Sequence, residues 1–235
     1  MISQKPIKPA QHAESCLFSA ILAGEYPPGS PIPPERELAE KIGVTRPTLR
    51  EALQRMARDG WLDIQHGKPT MVRDYMRQGG MGVIATMTRL ADRVPTGFIG
   101  YFLDFRSVIL PPVAKKAVEN RPADLEGFLI LSKNLPDTAQ AYVDYDWELQ
   151  LEMATNSGNP FFRVIFNDFA LMYRQWGVRY FLARKARKLS ARYYAELLDL
   201  VVKRDGIGVE DRVRLVVSEV TALWKSQMGA MGNEP

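Results

Sequence analysis

The sequence is short of the residues that build disulfide frameworks and most metal centres. It contains one cysteine, Cys16, and two histidines, His12 and His66. One cysteine cannot form an internal disulfide framework, and its apolar neighbours Leu17 and Phe18 favour a buried hydrophobic role over a reactive thiol. Such cysteine usage is typical of the reducing cytoplasm.

Long apolar runs are also missing. No stretch approaches the roughly 18 uncharged apolar residues of a membrane-spanning helix, and residues 1–15 lack the apolar core of a signal peptide. We therefore expect a cytoplasmic protein with no membrane partner.

The sequence does contain enough apolar residues for two modest domains. They make up 46% of 235 residues, and the net charge of +4 permits a polyanionic partner without proving one. Glycines around residue 79 separate two parts with different patterns. We predict one domain over residues 1–75 and a second over residues 76–235.

The first part begins with a pattern of three helices. Apolar residues recur at helical spacing over residues 10–23, 35–42 and 46–59. Gly43 suits the left-handed position that ends the second helix, and Thr45 can cap the third, where Pro47 is tolerated in the first turn.

A hairpin follows the third helix. Residues 61–65 alternate like a strand, residues 66–69 read as a tight turn, and residues 70–74 read as the return strand. Three helices and a hairpin predict a winged helix-turn-helix.

The second part is helical almost throughout. It divides into about six or seven helices, with breaks at Pro95, at Pro111–Pro112 and at residues 120–124, 134–137, 156–160 and 203–208. The predicted fold class is mainly α with a small β-wing: an N-terminal winged helix-turn-helix plus an all-α C-terminal ligand-binding helical bundle.

The third helix carries polar residues suited to DNA. In a helix-turn-helix the N-terminal end of this helix meets the major groove, which places Thr45, Arg46, Thr48 and Arg50 near bases and phosphates. An arginine fork can hold guanine O6 and N7 together, and threonine hydroxyls suit phosphate oxygens. Arg36, on the preceding helix, can brace the DNA backbone or read an adjacent base. A solvated helix face is the plainer reading of the same arginines.

The turn of the hairpin also has two possible interpretations. His66, Gly67 and Lys68 form an ordinary hairpin turn, but behind a recognition helix a narrow cationic turn can enter the minor groove.

Residues 35–70, ERELAEKIGVTRPTLREALQRMARDGWLDIQHGKPT, resemble the DNA-binding domain of the GntR-type bacterial transcription regulators. The fatty-acid-responsive members of that family are the most similar. The resemblance implies that the eight residues just named contact double-stranded operator DNA. Pro47 departs from it, because those members have a threonine there.

The helical part resembles the same regulators more loosely, over residues 79–228, through NSGNP, YRQWGVRYF and the pair Tyr193–Tyr194. Many relatives bind a metal through an aspartate and several histidines. Here Asp146 matches that aspartate, Gln150 stands where a histidine is expected, and both histidines lie in the first part. We therefore predict no metal and no cofactor, which favours the acyl-CoA-responsive branch.

An acyl-CoA requires an apolar tunnel and cations for its phosphates. Aromatic residues crowd the helical part, and residues 163–192 are basic, although a core and a solvated face explain these patterns equally. The resemblance places Arg106, Tyr180, Tyr194 and Trp224 at the ligand pocket. Val217 and Val220 depart from it, since the fatty-acid-responsive members have a glycine and a serine at these positions.

These observations predict a homodimeric repressor or dual regulator of fatty acid metabolism, released from a pseudo-palindromic operator by long-chain acyl-CoA. Val217 and Val220 keep a second hypothesis open, a GntR-type regulator that responds to a different metabolite. An acyl-CoA-processing enzyme with an accessory winged helix is disfavoured. The helical part shows no nucleophile elbow, phosphate loop or histidine base, and Glu148 and Glu152 read as solvent-facing charges.

Overall fold

The computed structural model describes residues 8–94 and 97–231, and the break predicted at Pro95 lies outside these residues. Its contacts divide the chain into two compact units, residues 1–94 and residues 95–235.

The first unit contains the predicted winged helix-turn-helix. Its first elements in chain order are α1 (Pro9–Leu22), α2 (Glu35–Ile42), α3 (Arg46–Arg58), β1 (Leu62–Asp63) and β2 (Met71–Val72). The two strands pair antiparallel, and an isolated bridge joins Pro31 to Met71 beside them. The predicted fold class is thereby confirmed, although the strands are shorter than the sequence pattern indicates.

Local sequence explains the turn between α2 and α3. Gly43 ends α2 at φ 78°, a left-handed conformation that glycine adopts without steric cost. Thr45 then caps α3 by accepting a hydrogen bond from the backbone N–H of Thr48 at 3.4 Å. Leu49 and Leu53 face the core with the rest of the apolar stripe of α3, so its polar side is turned to solvent.

Three short elements complete the first unit: α4 (Tyr75–Gln78), α5 (Met81–Arg89) and a 3₁₀ turn (Ala91–Arg93). Hydrogen bonds join α5 to the end of α3, because the Thr86 hydroxyl donates to Asp59 at 2.7 Å and the Arg89 guanidinium donates to Asp59 at 3.0 Å. The division by contacts therefore falls after Val94, whereas the sequence prediction placed it after residue 75. These contacts join residues about 30 positions apart, which composition along the chain does not reveal.

The second unit is a bundle of long helices. In order these are α6 (Gly97–Asn120), α7 (Pro122–Ile130), α8 (Ala139–Asn156), α9 (Pro160–Leu182), α10 (Arg184–Val202) and α11 (Gly206–Met231), with a 3₁₀ turn at Leu131–Asn134. α6 packs on α8 and α11, and α8 packs on α9. Among the described helices, none has both the length and the apolar character needed to cross a membrane.

The break predicted at Pro111–Pro112 is wrong, because α6 continues through both prolines. A proline inside a helix removes one backbone hydrogen bond and disfavours the helix. Leu110, Val113 and Ala117 on the same helix are buried in the bundle, and their packing outweighs that local cost.

Candidate DNA-binding surface and effector cavity

The N-terminal turn of α3 presents polar groups to solvent. The hydroxyls of Thr45 and Thr48 lie 2.8 Å apart, and Arg46 is exposed beside them. The first backbone N–H groups of a helix have no partner within it and carry partial positive charge, which suits a phosphate. This turn therefore brings together the hydroxyl, N–H and guanidinium donors that DNA contact requires.

Arg50 is held by a carboxylate that the sequence analysis did not single out. Its Nε lies 3.1 Å from Glu35 Oε1, and its terminal nitrogen lies 2.6 Å from Oε2. The hydrogen bond from Arg50 holds the pKa of the Glu35 carboxyl below its ordinary value, against the opposing effect of burial. Arg50 would have to exchange or share this partner to bind DNA. The two residues are 15 positions apart, so only the fold of the helix pair shows the contact.

Two other predicted DNA contacts are less constrained. Arg36 and Arg46 are exposed, and neither pairs with a carboxylate among the residues that the structure describes. Both guanidinium groups are therefore available for an external anion.

The wing tip has a defined shape. Gly67 adopts φ 74°, and the N–H of Lys68 donates to the carbonyl of Gln65 at 3.2 Å to close the turn. Lys68 Nζ donates to the Gln65 side chain at 2.9 Å, and Gln65 in turn donates to Asp63 at 2.7 Å. His66, Gly67 and Lys68 are all exposed. Gly67 has no side chain to cover the backbone at the tip, and the cationic Lys68 lies next to it.

The second unit contains a cavity of about 60 Å³ between its helices. Three of the four residues predicted to bind the ligand line it, namely Arg106, Tyr180 and Trp224. Val217 and Val220 line it too, so the positions where the sequence departs from the family lie at the cavity wall. Tyr194 is not among the lining residues, and its neighbour Tyr193 takes that place.

Tyr194 instead belongs to a buried cluster around Asp146. Its hydroxyl donates to one carboxylate oxygen at 2.7 Å, while Tyr173 and Gln150 donate to the other, Gln150 at 3.0 Å. Burial, followed by the charge of Asp146, raises the pKa of both tyrosines well above the ordinary value. Both remain hydrogen-bond donors at physiological pH. The carboxylate therefore has three protein donors.

Among the described residues, no set of metal ligands surrounds Asp146. Within the described ranges, no group of three or more histidine, cysteine, aspartate and glutamate side chains lies close enough to hold a metal ion.

Arg106 lies near this cluster without an ion pair. Its guanidinium carbon is 5.3 Å from the centre of the Tyr173 ring, and the side chain is buried. No carboxylate of the described chain lies within ion-pair distance of it.

Half of the basic residues in the segment predicted to meet phosphates, four of eight in residues 163–192, form ion pairs within the described chain. Arg174 contacts Glu148 at 3.2 Å, and Arg192 contacts Glu219 at 2.7 Å. Arg187 is paired with Asp137 at 2.6 Å, and its hydrogen bond lowers the pKa of that carboxyl. Arg179 is exposed and lies 4.6 Å from the ring of Trp176, a residue of the cavity wall. This arginine is better placed than the paired ones to meet an anionic group outside the cavity.

A capped, cationic helix N-terminus followed by a wing defines a winged helix-turn-helix DNA-binding protein, which here carries a helical unit with an internal cavity. Comparison with family models agrees with both halves. Residues 9–72 match the model described as bacterial regulatory proteins, gntR family, and residues 73–234 match the FadR C-terminal domain. The chain belongs to the GntR family of bacterial transcription regulators, with a C-terminal domain of the FadR type.

Curated relatives match over nearly the whole chain. A protein of Shewanella halifaxensis named fatty acid metabolism regulator protein is 39% identical over 221 residues, which cover 93% of this chain and 91% of the relative. A protein of the same name from Serratia proteamaculans is 37% identical over 230 residues, with coverage of 98% and 96%. These relatives are regulators, and the chain is a DNA-binding regulator rather than an enzyme.

Solved structures show the same fold. The Lar regulator of the Listeria monocytogenes agr system aligns with a TM-score of 0.58 at 15% identity, covering 94% of this chain and 98% of that one. At this identity the likeness concerns the fold alone.

Proposed function

We propose that the chain is a cytoplasmic regulator of fatty acid metabolism genes that binds a double-stranded operator as a homodimer and leaves it when long-chain acyl-CoA binds. No cofactor takes part. It represses degradation genes and can activate synthesis genes, the two roles open to a DNA-bound regulator of this pathway. The curated relatives, named for the same metabolism, support this proposal.

The DNA half of the proposal uses the eight predicted residues. Arg46 and Arg36 supply guanidinium groups that have no carboxylate partner among the described residues. Thr45 and Thr48 supply hydroxyls at the start of α3, and Arg50 contributes once it releases or shares Glu35. The wing residues His66, Gly67 and Lys68 enter the adjacent minor groove.

The homodimer follows from the way helix-turn-helix proteins read DNA. Two copies place two recognition helices about one helical turn apart on a pseudo-palindromic site. α6 offers a face for this contact, because Tyr101 and Val108 are exposed by 73% and 67% on the helix whose other side lines the cavity. Exposed apolar side chains on one face of a helix favour protein contact.

The effector half rests on the cavity of the second unit. Arg106, Tyr180 and Trp224 line it, and Tyr194, from outside the lining, holds Asp146 in the wall. Ligand pockets commonly measure about 300–1,000 Å³. The 60 Å³ cavity must therefore expand between its helices to admit an acyl chain. A helical arrangement that suits the acyl-CoA and disfavours DNA would make each ligand weaken the other by the same factor.

The effector assignment rests on one observation. Arg106, Tyr180 and Trp224 line the same cavity, although Arg106 and Trp224 are 118 positions apart in the chain. The test is fluorescence anisotropy of a labelled duplex, selected by the purified protein from a random pool, titrated with oleoyl-CoA or CoA at fixed salt. We expect release by oleoyl-CoA and no release by CoA alone.

A second effector class is favoured by Val217 and Val220. Both line the cavity, where they add bulk and offer no hydroxyl to a ligand. Tight operator binding that oleoyl-CoA leaves undisturbed would discard the acyl-CoA and assign the cavity to another hydrophobic or anionic metabolite, while the DNA-binding function stands.

A further inference from the structure

A carboxylate lies among the residues predicted to contact DNA. Glu35 is the first residue of α2, and its side chain is 29% exposed next to Arg50. DNA is a polyanion, so a negative charge at this place weakens binding electrostatically. An exposed ion pair contributes little to stability, so stability alone is a weak reason for that cost. The geometry of the pair indicates a role in recognition.

Glu35 binds only one edge of the Arg50 guanidinium. Nε donates to Oε1 at 3.1 Å, and Nη2 donates to Oε2 at 2.6 Å. A guanidinium has five N–H donors in a planar fork. This side-on pair uses two of them, and the other three, two on Nη1 and one on Nη2, point away from Glu35. The Arg50 side chain is 60% exposed, so its free edge is open to an acceptor on the DNA while the pair stays intact.

Helix α2 gives the carboxylate a fixed position. Leu38 and Ala39, one turn after Glu35, are buried and hold α2 against the rest of the unit. The partial positive charge at the start of a helix also stabilises an acidic side chain there. The hydrogen bond from Arg50 lowers the pKa of Glu35 more than burial raises it, so the carboxyl is ionised at pH 7. Arg50 therefore has a charged acceptor at a defined place.

An arginine held in this way loses less freedom on binding than a free one. Ordering a long flexible side chain at an interface costs roughly two- to tenfold in affinity. The pair with Glu35 orders Arg50 before the DNA arrives. Because the guanidinium is planar, fixing one edge also sets the direction of the other. Recognition of a particular site needs that direction, whereas general attraction to phosphates does not.

We propose that Glu35 is a positioning residue for operator recognition. It keeps its pair with Arg50 in the complex and directs the free edge of the guanidinium toward two adjacent acceptors of the DNA. This inference rests on the DNA contact proposed above for Arg50, and it means that Arg50 shares Glu35 with the DNA and does not release it. The negative charge of Glu35 is then an accepted cost of orientation.

The test is a double-mutant cycle with Glu35→Ala, Arg50→Ala and the double variant of the full-length chain. Binding is measured by fluorescence anisotropy at fixed salt, with a duplex that the wild-type protein selects from a random pool and with a scrambled duplex of the same composition. Glu37→Ala is the matched control, because Glu37 is an exposed acid on the same helix and its removal changes the net charge equally. Glu35→Gln keeps the size of the side chain and one acceptor oxygen.

We expect Glu35→Ala to weaken binding of the selected duplex about two- to tenfold, although the variant carries one negative charge fewer. Glu35→Gln should weaken it less, and Glu37→Ala should leave it unchanged or tighten it slightly. Binding of the scrambled duplex should not weaken in any of the three, so the ratio of selected to scrambled affinity falls only when Glu35 is changed. In the Arg50→Ala background, Glu35→Ala should cause no further loss.

The outcomes separate this inference from the proposed DNA contact. Equal or tighter binding of the selected duplex by Glu35→Ala would overturn the inference, because Glu35 would then act only as a repelling charge. The same loss in the Arg50→Ala background would also overturn it, since the effect would then come from the fold of α2. Thermal melts identify a variant that fails to fold, and Glu35→Gln decides the result if Glu35→Ala is that variant. If Arg50→Ala binds the selected duplex as tightly as the wild type, the contact of Arg50 and the inference fail together.

Discussion

The two units of this regulator build their sites in opposite ways. In the first unit, the residues proposed to contact DNA are mostly exposed and lie within two short segments, residues 45–50 and 66–68, with Arg36 just before them. In the second, the residues proposed to contact the effector are buried and come from α6, α9 and α11. A DNA site can be assembled from local geometry, because it faces an external polyanion. A cavity exists only after the helices pack.

This difference has an energetic consequence. An exposed cation interacts little with its own protein, so its removal should alter binding and leave stability nearly unchanged. A buried polar group is tied to its neighbours, so its removal should alter stability as well. The following substitutions test that contrast, in order of decreasing expected effect.

The largest effect is expected for Asp146→Ala in the second unit. It leaves the donors of Tyr173, Tyr194 and Gln150 without an acceptor in a buried site. We expect a loss of about 3–5 kcal/mol in the free energy of unfolding, measured by urea denaturation. The exposed Asp211→Ala on α11 is the control and should stay within about 0.5 kcal/mol. Similar values for the two variants would contradict the role of the cluster.

The first unit also has a buried network, around Glu14, so a substitution there should lower stability as well. Glu14→Ala tests this expectation. Glu14 is fully buried and pairs with Arg89 and with Arg55, the latter at 3.0 Å. Its removal leaves two partly buried guanidinium groups without that partner, at a cost of about 2–4 kcal/mol. The change should appear in thermal and urea unfolding.

Glu51→Ala is the matched control for Glu14. Glu51 pairs with the same Arg55, also at 3.0 Å, but its side chain is 63% exposed. An exposed pair contributes roughly 0–1 kcal/mol. If Glu51→Ala destabilised the chain as much as Glu14→Ala, burial would not be the cause.

Arg46→Ala should separate binding from stability. Arg46 is exposed and has no carboxylate partner in the described part of the chain, so unfolding should be almost unchanged. Operator binding should weaken by about 1–3 kcal/mol, and the slope of log K against log salt should fall by about 0.9 if a phosphate contact is lost. Arg121→Ala in the second unit is the control for one lost positive charge. An unchanged anisotropy titration with an intact fold would refute the proposed docking.

The smallest effect concerns the Glu35–Arg50 pair. Because the pKa of Glu35 is lowered in the folded chain, the pair stabilises it above the ordinary value of 4.5, and this contribution is lost as the pH falls through the lowered pKa. The pair is largely exposed, so we expect only a small contribution to stability. Unfolding of the wild type and of Glu35→Gln between pH 7 and pH 3 should show a flatter acid slope in the variant. Parallel curves would show that the pair does not contribute.

The sequence predicted the first unit well because its signals are local. Gly43, the Thr45 cap and the apolar stripe of α3 lie within a few residues of the elements they specify. The wing was recognisable from Gly67 and its polar neighbours, and the structure gives that glycine the positive φ that the turn needs. Arg50 is the exception, because its contact with Glu35 depends on how α2 and α3 cross.

The second unit was less predictable because its site depends on contacts between helices that are far apart in the sequence. The sequence showed a helical, aromatic-rich segment and left its core and its ligand tunnel indistinguishable. Family resemblance supplied Arg106, Tyr180 and Trp224, but not Trp176, which reads as one more aromatic residue on a helix. Only its place in the cavity wall distinguishes it. Pro111 and Pro112 misled the sequence reading, since packing along α6 outweighs their local preference.

The sequence by itself therefore determined the winged helix-turn-helix, the helical nature of the second unit and the residues proposed to meet DNA. Caps, glycine turns and apolar periodicity act over a few residues, and an exposed site needs little more. Only the tertiary structure decided that Tyr194 supports Asp146 from behind the cavity wall and that Arg106 is buried without a carboxylate partner within the described chain. Burial and hydrogen-bond partners depend on helices far apart in sequence, so they are defined only once those helices have packed.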